Sequence, residues 1–378
     1  MVTMGKNLNF ITLLVMLLTL SAEAQETLLF TSGSRYSIGT EENRTASISV
    51  GDIDEDDDLD IVVANGRHWP QQNYLFLNSG NGKFNVMIPI GVERSTSYAA
   101  ELGDLDGDGE LDMAVGNDVA PNVLFFNDGK GGFVKGGVFG KKYAPTRNLT
   151  LGDIDADGDL DILITNRGAE NEICLNDGKG GFDEVVTFGS NDDSTIDVEM
   201  KDLDGDGDVD LILANRDRQP NFIYLNEDLD FSEKIPFGTG RDETRSIEVA
   251  DFDHDGYWDI VTANIREKNR IYFGDQDHRY NKVIELGKED RTFSVAVADV
   301  NHDGSMDIIF GNHGSPNYVY VNHGGGESFE AIKLSEKESH TYDIMAGDIN
   351  GDGYPDIMEA NSDGINSYYL NRMGEKKE

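Results

Sequence analysis

The sequence has little cysteine, little positive charge and few long apolar runs. Cys174 is the only cysteine, which excludes an intrachain disulfide, and its strand-like surroundings favour a buried, inert thiol. Lys and Arg number 31 against 72 Asp and Glu, which gives a net charge of −41. A field of that sign disfavours nucleic acid and anionic lipid as partners.

The one long apolar run, Phe10 to Leu20, lies near the start and follows Lys6. Ala22-Glu23-Ala24 then supplies a small-x-small cleavage site, so residues 1–24 are predicted to be a secretory signal peptide. An N-terminal membrane anchor is the alternative, but a bilayer span needs about 20 apolar residues. We therefore expect an exported monomer, periplasmic or extracellular, without a membrane span, whose residues 25–378 form one domain.

An acidic nine-residue loop recurs along the chain. Its clearest copy is 202–210, with Asp at positions 1, 3, 5 and 9 and Gly at position 6. Clustered carboxylates repel one another unless a counter-ion is bound, and Ca²⁺ accepts several oxygen ligands in a flexible shell. The loop therefore predicts a bound Ca²⁺.

Seven copies of this loop start 48 to 52 residues apart, which is the signature of a repeat array. We expect up to seven calcium ions, with a structural rather than a chemical role. The residues at positions 1, 3, 5 and 9 are Asp52, Asp54, Asp56 and Asp60; Asp104, Asp106, Asp108 and Asp112; Asp153, Asp155, Asp157 and Asp161; Asp202, Asp204, Asp206 and Asp210; Asp251, Asp253, Asp255 and Asp259; Asp299, Asn301, Asp303 and Asp307; and Asp348, Asn350, Asp352 and Asp356.

Each unit contains four short strand-like segments. In the fourth unit these are 195–200, 211–214, 222–225 and 231–237, and the acidic loop joins the first two. Four strands in roughly 49 residues match one propeller blade. The sequence therefore predicts an all-β, seven-bladed propeller with four antiparallel strands per blade.

The two ends of the chain predict how the ring closes. The seventh unit stops after 367–370 and lacks a fourth strand, whereas 28–38 precedes the first unit in the position of one. Pairing this N-terminal strand into the last blade would close the circle and cover an open sheet edge.

An EF-hand is the main alternative for such a loop, and position 12 distinguishes the two. An EF-hand requires glutamate there, but only the seventh repeat has it. The residues at position 12 are Val63, Val115, Ile164, Leu213, Thr262, Phe310 and Glu359. The flanking segments are also strand-like, so the EF-hand is excluded.

Through these loops, their period and Phe-Gly pairs such as Phe188-Gly189, the chain resembles the FG-GAP/VCBS repeat family. These are seven-bladed propellers related to the N-terminal propeller of the integrin alpha subunit. The resemblance implies that each loop joins the first two strands of a blade. It also implies that side chains 1, 3, 5 and 9 and the carbonyl of position 7 hold Ca²⁺.

Three loops depart from the family pattern. Asn301 and Asn350 replace the second carboxylate in the last two loops, which lowers the charge but keeps an oxygen ligand. In the first loop Asp57 takes the glycine position, where a left-handed backbone is needed. We nonetheless expect all seven loops to bind.

Arginine is concentrated in loops that should lie on the face opposite the acidic loops. Eleven of 15 arginines fall between blades or between second and third strands. A guanidinium group is a planar fork suited to carboxylate or sulfate, so an anion-binding surface is predicted. Its candidate residues are Arg44, Arg67, Trp69, Arg94, Arg147, Arg167, Arg216, Arg245, Arg266 and Arg291, with Arg218 and Arg241 in the same loops.

Two explanations of this arginine face remain open. It could bind a uronate or sulfated polysaccharide, or an acidic partner protein. Alternatively, the arginines pair with neighbouring acids and only stabilise the loops. The acids considered for such pairs are Glu42, Glu93, Asp242, Glu243 and Asp290.

Binding or adhesion without catalysis is the favoured function, because no Ser/His/Asp or Cys/His set is visible and most carboxylates are assigned to metal. The alternative is a polysaccharide lyase acting on uronate-containing glycans. In it, Arg94 would neutralise a uronate carboxylate and His68, Tyr98 or His340 would remove the adjacent proton. This alternative rests on analogy with lyases that use propellers.

Overall fold

The computed structural model describes residues 29–31 and 36–373. The predicted signal peptide, residues 1–24, lies outside this range. Within the described residues, no helix has the length and apolar character needed to cross a membrane. The regular elements of the described residues are 26 β-strands, which fall into seven four-stranded blades because β1 and β26 each serve twice.

The strands of the first three blades are β1 (Ser37–Gly51), β2 (Asp60–Asn65), β3 (Tyr74–Asn78), β4 (Phe84–Pro89), β5 (Ser97–Gly103), β6 (Asp112–Asn117), β7 (Asn122–Phe126), β8 (Val134–Phe139), β9 (Thr146–Gly152), β10 (Asp161–Asn166), β11 (Asn171–Leu175) and β12 (Glu184–Phe188). Those of the next two are β13 (Thr195–Lys201), β14 (Asp210–Asn215), β15 (Gln219–Tyr224), β16 (Lys234–Asp242), β17 (Thr244–Ala250), β18 (Asp259–Asn264), β19 (Asn269–Phe273) and β20 (Lys282–Leu286). The last two blades use β21 (Thr292–Ala298), β22 (Asp307–Ser315), β23 (Tyr318–Asn322), β24 (Phe329–Lys333), β25 (Ser339–Gly347) and β26 (Asp356–Tyr369).

The predicted seven-bladed, four-stranded architecture is confirmed. Blades two to six each use four consecutive strands in an antiparallel meander. Blade one combines residues 45–51 of β1 with β2, β3 and β4. The first strands of neighbouring blades contact one another in a complete cycle, because β25 of blade seven also contacts β1.

The ring closes through the N-terminal strand, as the chain ends predicted. The long strand β26 supplies both the second and the third strand of blade seven. Its later half pairs with the start of β1, where Ser37 lies opposite Ser367 and Ile38 opposite Asn366. A further bridge joins Phe30 to Asn371. The single strand β1 therefore completes blade seven before it begins blade one.

The predicted strand positions in the fourth blade agree with the structure except at the last strand. The sequence placed this strand at 231–237, whereas β16 starts at Lys234 and continues to Asp242, which pairs with Gln219. Phe231 instead packs in the apolar cluster between blades three and four, with Leu163 and Val198. Its apolar character reflects this packing rather than strand structure.

The core lies between blades. All six residues of β2, β6, β10, β14 and β18 are buried, because each second strand is covered by both neighbouring sheets. Cys174 belongs to the cluster between blades two and three, and burial raises the pKa of its thiol to about 12. An inert thiol follows, because the reactive thiolate is costly there.

Hydrogen bonds between buried polar side chains also join adjacent blades near the arginine face. Asn221 of blade four donates a 2.9 Å hydrogen bond from Nδ2 to Thr244 Oγ1 of blade five. Thr244 Oγ1 in turn donates to Asn264 Oδ1 at 2.9 Å. The same arrangement recurs at other boundaries, for example through Asn73, Ser97 and Asn117. These buried side chains satisfy one another and fix how one blade sits against the next.

Candidate metal-binding loops and arginine face

Each acidic loop connects the first and second strands of its blade, as the family resemblance implied. In the second loop, Asp104 Oδ1 accepts a hydrogen bond from Gly107 N at 2.8 Å, and Oδ2 accepts one from Gly109 N at 3.0 Å. Asp106 Oδ1 accepts from Asp108 N at 3.2 Å. The loop backbone thereby curls around the carboxylates at positions 1 and 3 and holds their remaining lone pairs close together.

Two left-handed residues shape every loop. Position 6 has positive φ in all seven, including Asp57 with φ 68°, so the non-glycine residue there adopts the backbone that the sequence required. Position 4 is also left-handed in all seven loops, which the sequence pattern did not reveal. Its residues are Glu55, Gly107, Ala156, Gly205, His254, His302 and Gly351. Only three are glycine, so the backbone at position 4 is imposed by the loop rather than by residue type.

Position 9 ties each loop to the rest of its blade. Asp259 is buried, its Oδ2 accepts from Phe252 N at 2.8 Å, and its Oδ1 accepts from Gly274 N at 2.9 Å. Burial raises the pKa of Asp259 to about 7. The position 9 aspartates of the other six loops accept the same two hydrogen bonds. One comes from the backbone N of position 2, and the other from the backbone N of a residue at or just after the end of the third strand. These aspartates are Asp60, Asp112, Asp161, Asp210, Asp307 and Asp356.

Five loops bring three carboxylates together in the manner of a cation site. Their candidate ligand oxygens lie within 4.8 Å of one another. The triads are Asp52, Asp54 and Asp60; Asp104, Asp106 and Asp108; Asp153, Asp155 and Asp161; Asp202, Asp204 and Asp206; and Asp251, Asp253 and Asp255. These groups can hold a metal ion, because oxygen-only ligation is what hard divalent cations prefer.

Two further observations show that these residues fit a cation. Oδ1 of Asp54 and Oδ1 of Asp253, both at position 3, are buried without a hydrogen-bond partner among the described residues. Burial, followed by repulsion from Asp108 and Asp104, raises the pKa of Asp106 above its usual range. A bound cation would satisfy the orphaned oxygens and remove the repulsion.

The sixth and seventh loops differ at position 3. Asn301 Oδ1 accepts from Asp303 N at 2.9 Å, while its Nδ2 donates to Asp303 Oδ2 at 3.0 Å. Asn350 makes the equivalent contacts with Asp352. A cation at these loops would need an amide oxygen where the nitrogen now lies, so the amide would have to turn over.

The acidic loops are also linked to the neighbouring blade. Asn127, at the start of the hairpin between the third and fourth strands of blade two, donates from Nδ2 to the carbonyl of Ile53 in the first loop at 2.9 Å. Asn322 likewise donates to Phe252 O at 2.8 Å. These asparagine side chains connect one blade's hairpin to the preceding blade's acidic loop.

The arginine face lies at the other ends of the strands, in the loops that the sequence assigned to it. Several of its arginines are paired, but mostly not with the acids considered from sequence. Arg147 Nη1 lies 2.7 Å from Asp118, Arg167 forms a two-pronged pair with Asp217, and Arg44 Nε lies 2.8 Å from Asp363. Each pair joins a loop of one blade to a loop of the next.

Of the acids considered from sequence, two pair with arginine, and one of these arginines lies off the face. Glu243 lies 3.8 Å from Arg216 Nε. Asp242 pairs with Arg270 of the third strand β19, which is not among the predicted residues of the face. Arg94 and Arg266 are exposed, and the Trp69 side chain is 65% exposed. The loop-stabilising explanation therefore accounts for only part of the arginine face.

An aromatic cluster covers the end of the propeller axis on this face. Tyr98, Phe293 and Tyr342 pack together, and the guanidinium groups of Arg67 and Arg245 lie 4.3 and 4.9 Å from the Tyr342 ring centre. Burial acts to raise the pKa of Tyr342, but these two arginines outweigh it and lower the pKa. Cation–π contacts of this kind hold both arginines inward, away from an external ligand.

The residues of the lyase alternative are only partly brought together. Tyr98 Oη lies 3.1 Å from His68 Nδ1, whereas His340 packs against His313. Burial raises the pKa of Tyr98 to about 12, which makes its phenolate costly at neutral pH. This environment opposes a role for Tyr98 as the base.

Acids that line the axis, most of them half-buried, were not singled out from sequence. All seven first strands line a cavity of about 330 Å³ that includes Asp197, Glu199 and Asp343. Glu101 and Glu248 line it as well, and burial, followed by the Asp343 and Asp197 charges respectively, raises the pKa of each to about 8. The sequence feature that could have identified these acids is an acidic residue inside an otherwise apolar first strand.

Replacing Glu248 by Gln is expected to raise the melting temperature at pH 9 and to change it little at pH 5. A raised folded pKa means that the folded state holds more protons, so stability falls as pH rises from about 4.5 to about 8. Gln removes this penalty, which we place on the order of 2 kcal/mol because the group is only partly buried.

Calorimetry at constant calcium would measure this effect, and Glu184→Gln on the exposed outer strand β12 is the matched control. Equal shifts at both pH values would show that Glu248 does not titrate differently in the folded protein.

These features define a seven-bladed β-propeller whose blades each carry an acidic loop. The chain belongs to the FG-GAP-like repeat family, which matches it in six overlapping segments, each running from one loop into the next blade. The matched residues are 52–115, 104–164, 153–213, 202–262, 251–310 and 299–358. A comparison with curated proteins gave no match.

Solved propeller structures are similar to this chain. BBS1N in complex with ARL6DN, soaked with mercury, aligns with a TM-score of 0.62 at 10% identity, over 91% of this chain and 97% of that one. The lead-soaked form aligns at 0.61 and 9% identity, over 91% and 97%. The WD40 domain of Toxoplasma gondii coronin aligns at 0.57 and 10%, over 89% and 83%. At such identities the likeness concerns the fold alone.

Proposed function

We propose that this protein is an exported, calcium-stabilised binding module that recognises an anionic ligand through its arginine face. The family and the propeller fold support a ligand-binding or adhesion role. Calcium in the acidic loops is supported by the oxygen-only carboxylate triads. Export is supported by the signal-like sequence of residues 1–24.

The observation that carries this function is a set of arginines left free in a strongly acidic protein. Arg94, Arg218, Arg241 and Arg266 form no side-chain hydrogen bond or ion pair within residues 29–31 and 36–373. Yet the chain offers 72 acidic residues for pairing. Unpaired guanidinium groups grouped in the same two sets of loops suit a partner that brings its own negative charge.

The ligand classes in this proposal are an anionic glycan and an acidic protein. The similar BBS1N structure was solved in complex with ARL6DN, which supports protein recognition by a propeller of this shape. The chemistry of the face itself supports either class. Lyase activity has no comparable support, because the buried Tyr98 is a poor base.

Replacing Arg94 and Arg241 together by Ala is expected to weaken binding to immobilised acidic polysaccharides or acidic proteins by tenfold or more. Binding should also weaken at high salt, since exposed charges are screened. Surface plasmon resonance at low and high ionic strength would measure both effects. The control removes the same charge from hairpins beside the acidic loops, through Lys130→Ala and Lys179→Ala. Equal losses in both variants, or no binding to any acidic ligand at low salt, would contradict the proposal.

A further inference from the structure

One cleft on the arginine face combines positive charge with depth. It has a volume of about 410 Å³ and is lined by Arg216, Arg218, Glu243, Ile265, Arg266, Glu267, Arg291 and Phe293. Apart from Phe293, which lies in β21, these residues come from loops of blades four to six, so the cleft exists only because three blades meet. Small-molecule sites in proteins typically measure about 300–1,000 Å³. The cleft therefore has room for a ring-sized ligand and is larger than a lone inorganic anion requires.

The charge in the cleft is not balanced internally. Four arginines face two glutamates, and Glu267 also lies 3.4 Å from Arg270 outside the cleft. Arg216 Nε is buried without a hydrogen-bond partner among the described residues, since Glu243 at 3.8 Å is too distant for a hydrogen bond. Burial, followed by the charges of Arg245 and Arg167, lowers the pKa of Arg216. Because Arg216 lines the cleft, an anion bound there would lie beside a guanidinium group whose Nε now lacks an acceptor.

The backbone also holds two of these arginines in an uncommon conformation. Arg218 and Arg266 both have φ of 60°, in the left-handed region that favours glycine. The conformation at Arg266 is fixed by a 2.6 Å hydrogen bond from its backbone N to the carbonyl of Asp290 in the loop between blades five and six. Such strained positions are found preferentially at ligand sites.

The geometry points to recognition of an acidic sugar unit in this cleft, with the arginines binding its carboxylate or sulfate group. Glu243 and Glu267 can accept hydrogen bonds from sugar hydroxyls, and Ile265 and Phe293 offer an apolar wall for the ring. An acidic peptide such as polyglutamate fits less well, because its carboxylate side chains offer no hydrogen-bond donor to the two glutamates. This inference rests on the proposed anion-binding function and deepens it by naming the subsite and the ligand class.

The test replaces Arg218 and Arg266 by Gly in the full chain, with calcium present. Gly suits the left-handed backbone at both positions, so the fold should be preserved while two guanidinium groups are lost. Titration calorimetry with an oligogalacturonate and with a sulfated disaccharide is expected to show at least a tenfold loss of affinity. Arg279→Ala, an exposed arginine in a hairpin beside the acidic loops, is the charge-removing control and should change affinity less than twofold.

Comparison of the test ligands separates the possible outcomes. Tighter binding of either acidic sugar than of methyl-esterified oligogalacturonate and polyglutamate supports the inference, and the tighter of the two identifies the anion. Equal binding by the Gly variant and the unchanged protein would overturn the cleft assignment while the arginine face as a whole remains. Preference for polyglutamate would overturn the sugar assignment. No binding by the unchanged protein would instead remove the proposed function itself.

Discussion

Removing divalent cations is expected to lower the melting temperature of this protein by on the order of 15 °C. A cation that binds only the folded state adds about 2.7 kcal/mol per site at a hundredfold excess over its dissociation constant. Five loops present carboxylate triads within 4.8 Å. Their contributions would therefore sum to on the order of 10 kcal/mol. Scanning calorimetry in excess chelator and in excess Ca²⁺ measures this difference.

The variant Asp106→Ala tests whether the loss comes from the loops themselves. Asp106 is a triad member whose hydrogen bonding consists of one contact, from Asp108 N at 3.2 Å, so removing it should change the metal-free protein little. In calcium the variant should lose the stabilisation that one bound ion contributes, and metal analysis should show one bound ion fewer. Adding Ca²⁺ back to the unchanged protein should restore the original curve. Identical curves with chelator and with calcium would exclude cation binding as a source of stability.

Much of the fold was predictable because its determinants are local. The loop repeats every 48 to 52 residues, and each copy carries its own strand pattern. The mismatch between the chain ends then predicted closure, which the pairing of Ser37 with Ser367 confirms. The strand at 231–237 was misplaced because apolar residues such as Phe231 can pack in the core without belonging to a strand.

The candidate site was less predictable because its contacts cross between blades. Arg167 pairs with Asp217, 50 residues away, and Arg44 pairs with Asp363, 319 residues away. Sequence reasoning considered acids close to each arginine along the chain. The propeller instead brings loops of neighbouring blades together, so the partner of each of these two arginines lies about one repeat away or across the closure.

The role of position 9 was hidden for a related reason. Its aspartate belongs to the loop pattern and was therefore predicted only as a ligand. The structure shows that Asp259 also accepts hydrogen bonds from the backbone of Phe252, at position 2 of the loop, and of Gly274, just after the third strand. Position 5 has no such second role, since Asp255 Oδ1 accepts only from Tyr257 N in the exposed loop. Position 9 should therefore stabilise the blade with or without metal.

Replacing Asp259 by Ala is accordingly expected to destabilise the protein even in excess chelator. The change leaves two buried backbone N–H groups unpaired, at about 1–3 kcal/mol each, for a total of roughly 2–6 kcal/mol. Asp255→Ala is the matched comparison, because it removes the same side chain from the same loop. In chelator it should change the free energy of unfolding by less than about 1 kcal/mol.

In calcium both variants should lose metal-dependent stability as well, because both residues belong to the acidic loop. Urea denaturation of the three proteins in chelator and in calcium separates the two contributions. If the two variants were equally stable in chelator, the buried hydrogen bonds of position 9 would contribute no more than an exposed loop carboxylate does. A larger loss for Asp259→Ala in both conditions would instead establish position 9 as the residue that couples each acidic loop to its blade.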